Sequence, residues 1–295
     1  MIISASYKTD IPAFYGPWFM QRLDVGFCRM VNPYGGQVYR VDLEPRAVDG
    51  FVFWTRNLGP FLHRLEEVKQ RGFPFVVQYS ITGYPRALES AVGKGSRAVQ
   101  HVKMLAEQFG PRVAVWRYDP ILVTSLTPVP FHLDNFQALA AAMKGSVDEV
   151  VISFAQMYKK TRRHLDGAAA SSGFTWEDPE DDSKRMLVAR LVRIARENRM
   201  RLTVCSQLKY VVPDAGEARC VDAARLSDTA GWTIRAPVKG NRPDCRCHQS
   251  RDIGEYDTCP HGCAFCYAVG NNDMAHRRYQ AHDPGGEFLF RPGVV

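Results

Sequence analysis

Short apolar runs rich in β-branched and aromatic residues alternate with longer segments of helical periodicity through the first 210 residues. Six of these runs predict strands, and several are apolar almost throughout, as buried strands of a parallel sheet are. The strands are predicted at residues 2–6, 51–55, 73–80, 112–118, 149–155 and 201–205. The alternation therefore indicates repeated βα units around a parallel sheet.

Helices are predicted between these strands, at residues 14–24, 58–71, 88–109, 136–143 and 183–198. Gly35 and Gly36 predict a turn before a further strand at residues 38–43. Six βα units fit an open doubly wound sheet or a partly closed barrel, and we predict an α/β fold with a partial (β/α)6 barrel of the TIM type over residues 1–210. In both architectures functional residues gather at the carboxyl ends of the strands.

The βα rhythm fades after Cys205, where glycine, proline, arginine and cysteine become frequent. We therefore predict a second unit at residues 211–295. It would be an irregular cysteine-rich module that packs over the barrel and is held by something other than a large apolar core.

Composition narrows the class of protein. Hydrophobic residues are 45% and charged residues 23% of the 295 residues, which excludes disordered and fibrous chains. No stretch approaches a membrane span, and the first residues lack the layout of a signal peptide, so we expect a cytoplasmic protein without a membrane partner. The 38 basic and 31 acidic residues give a net charge of +7, which permits an anionic partner.

Eight cysteines in a reducing compartment favour metal or redox chemistry over disulfides. Cys259, Cys263 and Cys266 are separated by gaps of three and two residues. Three thiolates at this spacing can bind three irons of a [4Fe–4S] cluster and leave the fourth iron open for a small chelating ligand. The alternative is a zinc knuckle completed by His261, His248 or another cysteine.

This spacing resembles the cluster motif of the radical S-adenosylmethionine superfamily, including the aromatic residue before the last cysteine, Phe265. The resemblance implies that S-adenosylmethionine chelates the open iron and that its reductive cleavage yields a 5′-deoxyadenosyl radical. It also implies that Phe265 lies beside the adenine. An external electron donor and sensitivity to oxygen follow from the same resemblance.

Four other cysteines, Cys205, Cys220, Cys245 and Cys247, are sufficient for a second metal site. We expect an auxiliary [4Fe–4S] cluster there, with an all-thiolate zinc site as the alternative and unligated thiols as a third possibility. Cys28 stands apart and is predicted to be a small buried hydrophobic residue.

The wider chain resembles an uncharacterised family catalogued as domain of unknown function 1848. The resemblance runs nearly end to end and is carried by specific strings at Ile3–Ser6, Thr9–Tyr15, Phe53–Thr55, Trp116–Ile121, Ile152–Phe154 and Asp252–Ala268. The label of this family assigns no reaction to its members.

The cysteine loop lies near the C-terminus, whereas in most radical S-adenosylmethionine enzymes it follows the first barrel strand. Either the tail folds back over the barrel, or the topology is permuted so that the loop precedes the N-terminal strand in space. Both geometries predict that residues 4–10 face the cluster, and Ser6 and Asp10 are our candidates for holding the amino group and ribose of the cofactor.

Basic residues recur at the predicted strand ends and indicate an anionic substrate, because lysine and arginine bind phosphate and carboxylate. The candidates are Lys8, Arg56, Arg117, Lys160, Arg162 and Arg163. Nucleic acid or a nucleotide, as in lesion-reversing lyases, is the first class we consider, and a small phosphorylated or carboxylated metabolite is the second. Tyr118 and Tyr158 are candidates for relaying a hydrogen atom.

The sequence thus predicts a radical S-adenosylmethionine enzyme acting on an anionic substrate. Two other classes stay open. One is a non-enzymatic, metal-stabilised nucleic-acid-binding protein, whose binding would depend strongly on salt. The other is an electron-transfer protein with two closed clusters.

Overall fold

The computed structural model describes residues 1–32 and 35–291. Its centre is an eight-stranded sheet in which each pair of neighbouring strands is parallel. In chain order the strands are β1 Ile2–Ala5, β2 Phe27–Val31, β3 Val38–Asp42, β4 Gly50–Thr55, β5 Phe75–Ser80, β6 Ala114–Ile121, β7 Val123–Thr124, β8 Glu149–Phe154, β9 Trp176–Glu177, β10 Arg201–Val204, β11 Gly216–Glu217 and β12 Ser250–Asp252. The sheet order is β11, β10, β8, β6, β5, β4, β1, β12.

The helices mostly connect consecutive strands of this sheet, as βα units do. They are α1 Ile11–Phe14, α2 Gly16–Val25, α3 Leu65–Gln70, α4 Gly95–Phe109, α5 Val129–Ala142, α6 Lys159–Ser172, α7 Asp181–Glu197, α8 Ala223–Ala230 and α9 Asn272–Gln280, with 3₁₀ turns at Leu62–Arg64 and Leu208–Tyr210. The predicted α/β class is therefore confirmed.

All six predicted strands are present, and the predicted strand at residues 38–43 is β3, which pairs with β2 in an antiparallel ribbon. The short strands β11 and β12 were not predicted. They have two and three residues and are largely polar, so they carry no apolar run that could reveal them.

Several helix predictions need correction: the helix predicted at residues 58–71 is shortened to α3 after a 3₁₀ turn at Leu62–Arg64, and the one predicted at residues 136–143 begins at Val129. The predicted helix at residues 14–24 is divided into α1 and α2 around Tyr15. The helix predicted from residue 88 begins only at Gly95, because residues 88–91 hydrogen bond to another part of the chain. Residues 159–172, for which no helix was predicted, form the helix α6.

The two faces of the sheet are covered differently. One face contributes Ile3, Phe51, Val77 and Val150 to a core shared with α2, α3, α4, α5 and α7. Alternate residues of the same strands point to the opposite face, where they pack on residues of the segment 218–247. All five of these connecting helices thus lie on one side, unlike the two-sided covering of a doubly wound sheet.

The sheet is open. Strands β11 and β12 occupy its two edges, and no hydrogen-bonded pairing joins them within the part of the chain that the structure describes. The TIM-type barrel is therefore not seen as a closed structure. Both edge strands come from residues 211–295, so the segment predicted as an irregular module contributes to the main sheet; the division of the chain into two units stays a prediction.

Strand β12 lies beside β1 and runs parallel to it, with Ser250 opposite Ile2 and Asp252 opposite Ser4. The chain that leaves β12 therefore emerges at the carboxyl edge of the sheet, next to the end of β1. Strand β12 is thus the edge strand next to β1, although it is the last strand in the chain. Of the two geometries expected from the sequence, the permuted one describes this arrangement.

No helix within residues 1–32 and 35–291 is long and apolar enough to cross a lipid bilayer.

Candidate functional site

The loop that follows β12 carries Cys259, Cys263 and Cys266, and we call residues 259–266 the cysteine loop. It is bound to the segment 88–91 by hydrogen bonds from Ala91 N to His261 O (3.0 Å) and from Ala264 N to Leu88 O (2.9 Å). Gly262 has a positive φ of 65°, and a Cβ atom there would lie 2.2 Å from Ser90 Oγ. The loop therefore requires glycine at this position.

Helix α6 and the N-terminal segment hold the loop from other sides. Leu165 of α6 packs in one apolar cluster with Cys263 and Phe265. Tyr15 Oη donates to Thr258 O (2.5 Å), and Tyr267 Oη donates to Tyr7 O (2.5 Å). The expected contact between residues 4–10 and the cysteine loop is made by His261, whose Nε2 lies 2.8 Å from the Asp10 carboxylate.

The three thiols lie within electrostatic reach of one another. Cys263 is buried, and Cys259 and Cys266 are half-buried. Burial raises the pKa of all three, and the neighbouring thiols raise the pKa of Cys259 further. Backbone N–H groups of Ala268 and Val269 act in the opposite direction on Cys266, because they stabilise its thiolate.

Asp10 connects the loop to the ends of β1 and β4. Its carboxylate accepts hydrogen bonds from Ala13 N (2.9 Å), where it caps α1, and from Arg56 N (2.7 Å). It also accepts one from His261 Nε2 (2.8 Å). The other ring nitrogen of His261, Nδ1, is buried and has no hydrogen-bond partner in the described part of the chain.

Arg56, at the end of β4, lies against the loop. Its guanidinium pairs with Glu89 and lies 5.4 Å from the centre of the Phe265 ring. Burial alone lowers the pKa of Arg56, but the charges of Glu89, Cys263 and Asp119 outweigh it and raise the pKa. Arg56 also lines a cavity of about 290 Å³ formed by residues that follow β5, including Thr82 and Tyr84.

Asp252, at the end of β12, fixes the join between β12 and β1. It accepts hydrogen bonds from Ser4 Oγ (2.7 Å), Ser6 Oγ (2.7 Å), Tyr7 N (3.0 Å) and Gly254 N (3.0 Å). Burial raises its pKa, whereas the charge of Lys8, 3.8 Å away, lowers it. These donors hold Ser6 and the chain entering the cysteine loop in one arrangement.

Of the six predicted substrate-binding cations, Arg56 pairs with Glu89 as described above, and the other five fall into two groups. Lys8 and Arg117 are buried and paired internally: Lys8 donates to Gly254 O (3.3 Å), and Arg117 pairs with Asp119. Lys160, Arg162 and Arg163 lie in the first turn of α6, where Arg162 and Arg163 are exposed. Arg163 and His164 both donate to Gly270 O, at 2.8 and 3.0 Å, so this turn lies beside the chain that leaves the loop.

The two candidate tyrosines lie in different surroundings. Tyr118 is fully buried, and its hydroxyl hydrogen bonds with His132 Nδ1 (3.0 Å) and Asn135 Nδ2 (3.1 Å). Tyr158 is exposed just before α6 and bonds to Gln156. The structure does not bring the two hydroxyls to one place.

The other four cysteines that were predicted to bind metal lie on the face of the sheet opposite the helical core. Cys205 Sγ and Cys220 Sγ are 3.5 Å apart, and Cys247 contacts both Cys220 and Cys245. Hydrogen bonding from Cys247 lowers the pKa of Cys245 to about 5. Within the described ranges, no three His, Cys, Asp or Glu side chains already surround a common point as ligands of a single ion do.

A larger cavity of about 590 Å³ lies at the ends of β8 and β10. Its lining includes the carboxylates of Asp178, Glu180, Asp181 and Asp244 and the ammonium groups of Lys184 and Lys209. Acidic groups outnumber basic ones, so this cavity differs from the basic pocket expected at the strand ends.

Sequence reasoning missed several residues of the site. Asp252 and Asp119 stand inside the family strings quoted above, and the position of Asp119 directly after a predicted strand was a usable signal. His261 was considered only as a zinc ligand, and its pairing with Asp10 joins residues 251 positions apart. Glu89 had no signal, because it lies in a segment predicted to be helical.

Comparisons with known proteins identify one family. The family model described as "Domain of unknown function (DUF1848)" matches residues 2–268. No curated protein and no solved structure matches the chain.

Proposed function

The chain belongs to the DUF1848 family, whose description assigns no reaction, and we propose that it is a radical S-adenosylmethionine enzyme. Cys259, Cys263 and Cys266 would hold a [4Fe–4S] cluster with one iron open to the cofactor. The observation that carries this proposal is the presentation of three neighbouring thiols by a single loop at the carboxyl edge of a parallel sheet.

The position of the loop supports the proposal. In the superfamily the loop follows the first strand of a partial barrel. Here it follows β12, which lies at the sheet edge beside β1 although it is the last strand of the chain. The open parallel sheet with its connecting helices on one side is compatible with a partial barrel whose order has been permuted.

The surroundings of the three thiols fit a cluster. Backbone N–H groups lie near Cys259 and Cys266, and hydrogen bonds to the sulfurs are among the protein's means of tuning a cluster. The unpartnered Nδ1 of His261 fits a further group beside the loop, because buried polar atoms usually have partners. When bound, the cluster and S-adenosylmethionine supply a 5′-deoxyadenosyl radical for abstraction of hydrogen from the substrate.

The residues around the loop take distinct roles in this proposal. Phe265, beside the Arg56 guanidinium, would lie against the adenine. Ser6 and Asp10 would hold the surrounding chain in place rather than contact the cofactor directly. The Ser6 hydroxyl already bonds to Asp252, and the Asp10 carboxylate already bonds to His261. Arg56 lines the 290 Å³ cavity together with Glu89, and because its charge pairs with that carboxylate it would hold Phe265 and the cavity wall in place rather than bind an anionic group.

We propose an anionic substrate, with nucleic acid or a nucleotide tested first. Its support is the exposed basic turn of α6, where Arg162 and Arg163 lie beside the chain that leaves the cysteine loop. Lys160 extends this turn and lies 5.9 Å from the ring of Tyr256. Lys8 and Arg117 take no part, because their charges are used inside the protein. Tyr158, at the start of the same helix, is the tyrosine better placed to meet a substrate.

Anaerobic purification followed by iron and sulfide analysis tests the proposal. We expect about four irons that bind through the cysteine loop and are lost in Cys263→Ala. Addition of S-adenosylmethionine and dithionite, in place of the external electron donor, should give 5′-deoxyadenosine with the wild type alone. Cys28→Ala is the control, because Cys28 lies buried on β2 away from the loop.

Two results would contradict the proposal. Zinc without iron, together with salt-dependent binding of nucleic acid, would identify a metal-stabilised binding protein. Iron without cofactor cleavage would identify an electron-transfer protein.

A further inference from the structure

Four cysteines that the proposed reaction does not use meet on the sheet face opposite the helical core. Cys205 follows β10, Cys220 follows β11, and Cys245 and Cys247 lie in the segment after α8. Cys205 Sγ lies 3.5 Å from Cys220 Sγ, and contacts continue from Cys220 to Cys247 and from Cys247 to Cys245. The four sulfurs thus form one continuous group, although 42 positions separate the first from the last.

The backbone around this group is closely folded. Lys239 N donates to Cys247 O (2.9 Å), and a Cβ atom at Gly240 would lie 2.3 Å from Cys245 O. Glycine is therefore needed where residues 239–247 fold back on themselves. Val221 N lies 3.4 Å from Cys247 Sγ and donates to it, so one sulfur already accepts a backbone hydrogen bond.

A buried cation faces the same sulfurs. Arg117 Nη1 lies 2.9 Å from Cys220 Sγ, and Arg117 is only 5% exposed. Gln78, which contacts Arg117, also donates to Cys220 O (2.8 Å). The guanidinium also pairs with Asp119, and its Nη1 gives the Cys220 sulfur one charge-assisted hydrogen bond of the kind that stabilises a thiolate ligand.

We propose that Cys205, Cys220, Cys245 and Cys247 bind one tetrahedral metal ion of the zinc class. Metal–sulfur bonds of about 2.3 Å in a tetrahedron put the sulfurs about 3.8 Å apart, close to the separation of Cys205 and Cys220. A cubane cluster distributes its thiolates over separate irons and needs a wider spacing. Because the sulfurs do not yet surround a common point, the ion would draw them together as it displaces their protons.

The ion would be structural and would fasten the segment 218–247 to the end of β10. All four ligands are protein thiolates, so no coordination position stays open for a substrate. This segment covers the apolar face formed by Ile2, Val52, Val76 and Val151, and the ion would anchor that cover. The inference does not rest on the proposed radical chemistry, because its ligands are separate from the cysteine loop.

Metal analysis of purified variants tests the site. We expect about one zinc per chain in the wild type, in Cys263→Ala and in the control Cys28→Ala, and its loss in Cys220→Ser and Cys247→Ser. Since those two variants can fail to fold, cobalt is added separately to chelator-treated Cys263→Ala, in which the cysteine loop lacks one of its thiols. The expected result is the intense absorption of a tetrahedral cobalt thiolate site, abolished by about one equivalent of zinc.

The outcomes separate this site from the proposed function. Loss of about four irons in Cys220→Ser would overturn the inference in favour of a second cluster. Absence of both zinc and a cobalt thiolate spectrum would overturn it outright. Zinc retained in Cys263→Ala, in a protein without iron or cofactor cleavage, would support this site while the proposed function fails.

Discussion

At the scale of single residues, the buried polar groups determine what each candidate can do. Arg117 and Lys8 carry charges suited to an anionic substrate, yet both are paired inside the protein. Leaving a buried charge unpaired costs several kcal/mol, so neither is free to exchange its partner for a ligand. Tyr118 is similarly committed, because its hydroxyl bonds to His132 and Asn135 in the core.

His132 makes the fold sensitive to acid. Burial lowers its pKa to about 4 from 6.5, while hydrogen bonds to Leu122 and Thr127 act in the opposite direction. The unfolded chain therefore binds the proton first as the pH falls. The stability due to neutral His132 is present above about pH 6.5 and is lost as the pH falls towards about 4.

We expect the free energy of unfolding to fall by about 2 kcal/mol from this group between about pH 7 and pH 5. Urea unfolding at the two pH values measures it. His132→Gln should reduce the fall by that amount, whereas His63→Gln, at an exposed histidine, should leave it unchanged. An equal fall in wild type and His132→Gln would show that His132 is not the group responsible.

At the scale of elements, the join between β12 and β1 decides where the cysteine loop lies. Only three residue pairs align the two strands, so the polar contacts at their carboxyl ends carry much of the alignment. Asp252 collects four hydrogen bonds there, and Gly254 permits the close approach of Ser6.

Gly254→Ala should destabilise this join. A Cβ atom at residue 254 would lie 2.0 Å from Ser6 Oγ and 2.5 Å from Ser6 Cβ, and Ser6 is held by Asp252. We expect a loss of about 3 kcal/mol in the free energy of unfolding and a lower iron content. Gly93→Ala is the matched control, because a Cβ atom there meets nothing within 4 Å. Equal unfolding free energies of the two variants would show that the join tolerates the side chain.

At the scale of the whole molecule, residues 211–295 complete the sheet that the first 210 residues begin. They supply both edge strands, and the segment 218–247 covers the apolar face opposite the helices. Buried Arg225 of α8 ties this segment to the sheet through Asp148 and Glu149.

A fragment of residues 1–210 should therefore fail to fold independently. Its sheet would expose Ile2, Val52, Val76, Val115 and Val151 together, and such a patch promotes aggregation. Size-exclusion chromatography and thermal unfolding of the fragment, beside the full chain, measure this. A monomeric fragment with a cooperative transition would instead support two independent units.

The sequence by itself determined the βα alternation, the six central strands and the three-cysteine spacing of the loop. These are properties of local periodicity and of chain neighbours, which short segments carry on their own. The sequence also singled out Arg56, Asp10 and the second set of cysteines as candidates, although it could not show which residues each of them contacts.

Only the tertiary structure decided that the last strand of the chain lies beside the first, that β11 and β12 are sheet strands, and that Asp10 meets His261. Tertiary packing also decided which cations are free and which are paired. The physical reason is the same in each case. Short polar strands and buried ion pairs form through contacts between residues far apart in the chain. The local sequence around each partner has no periodic pattern that would reveal such a contact.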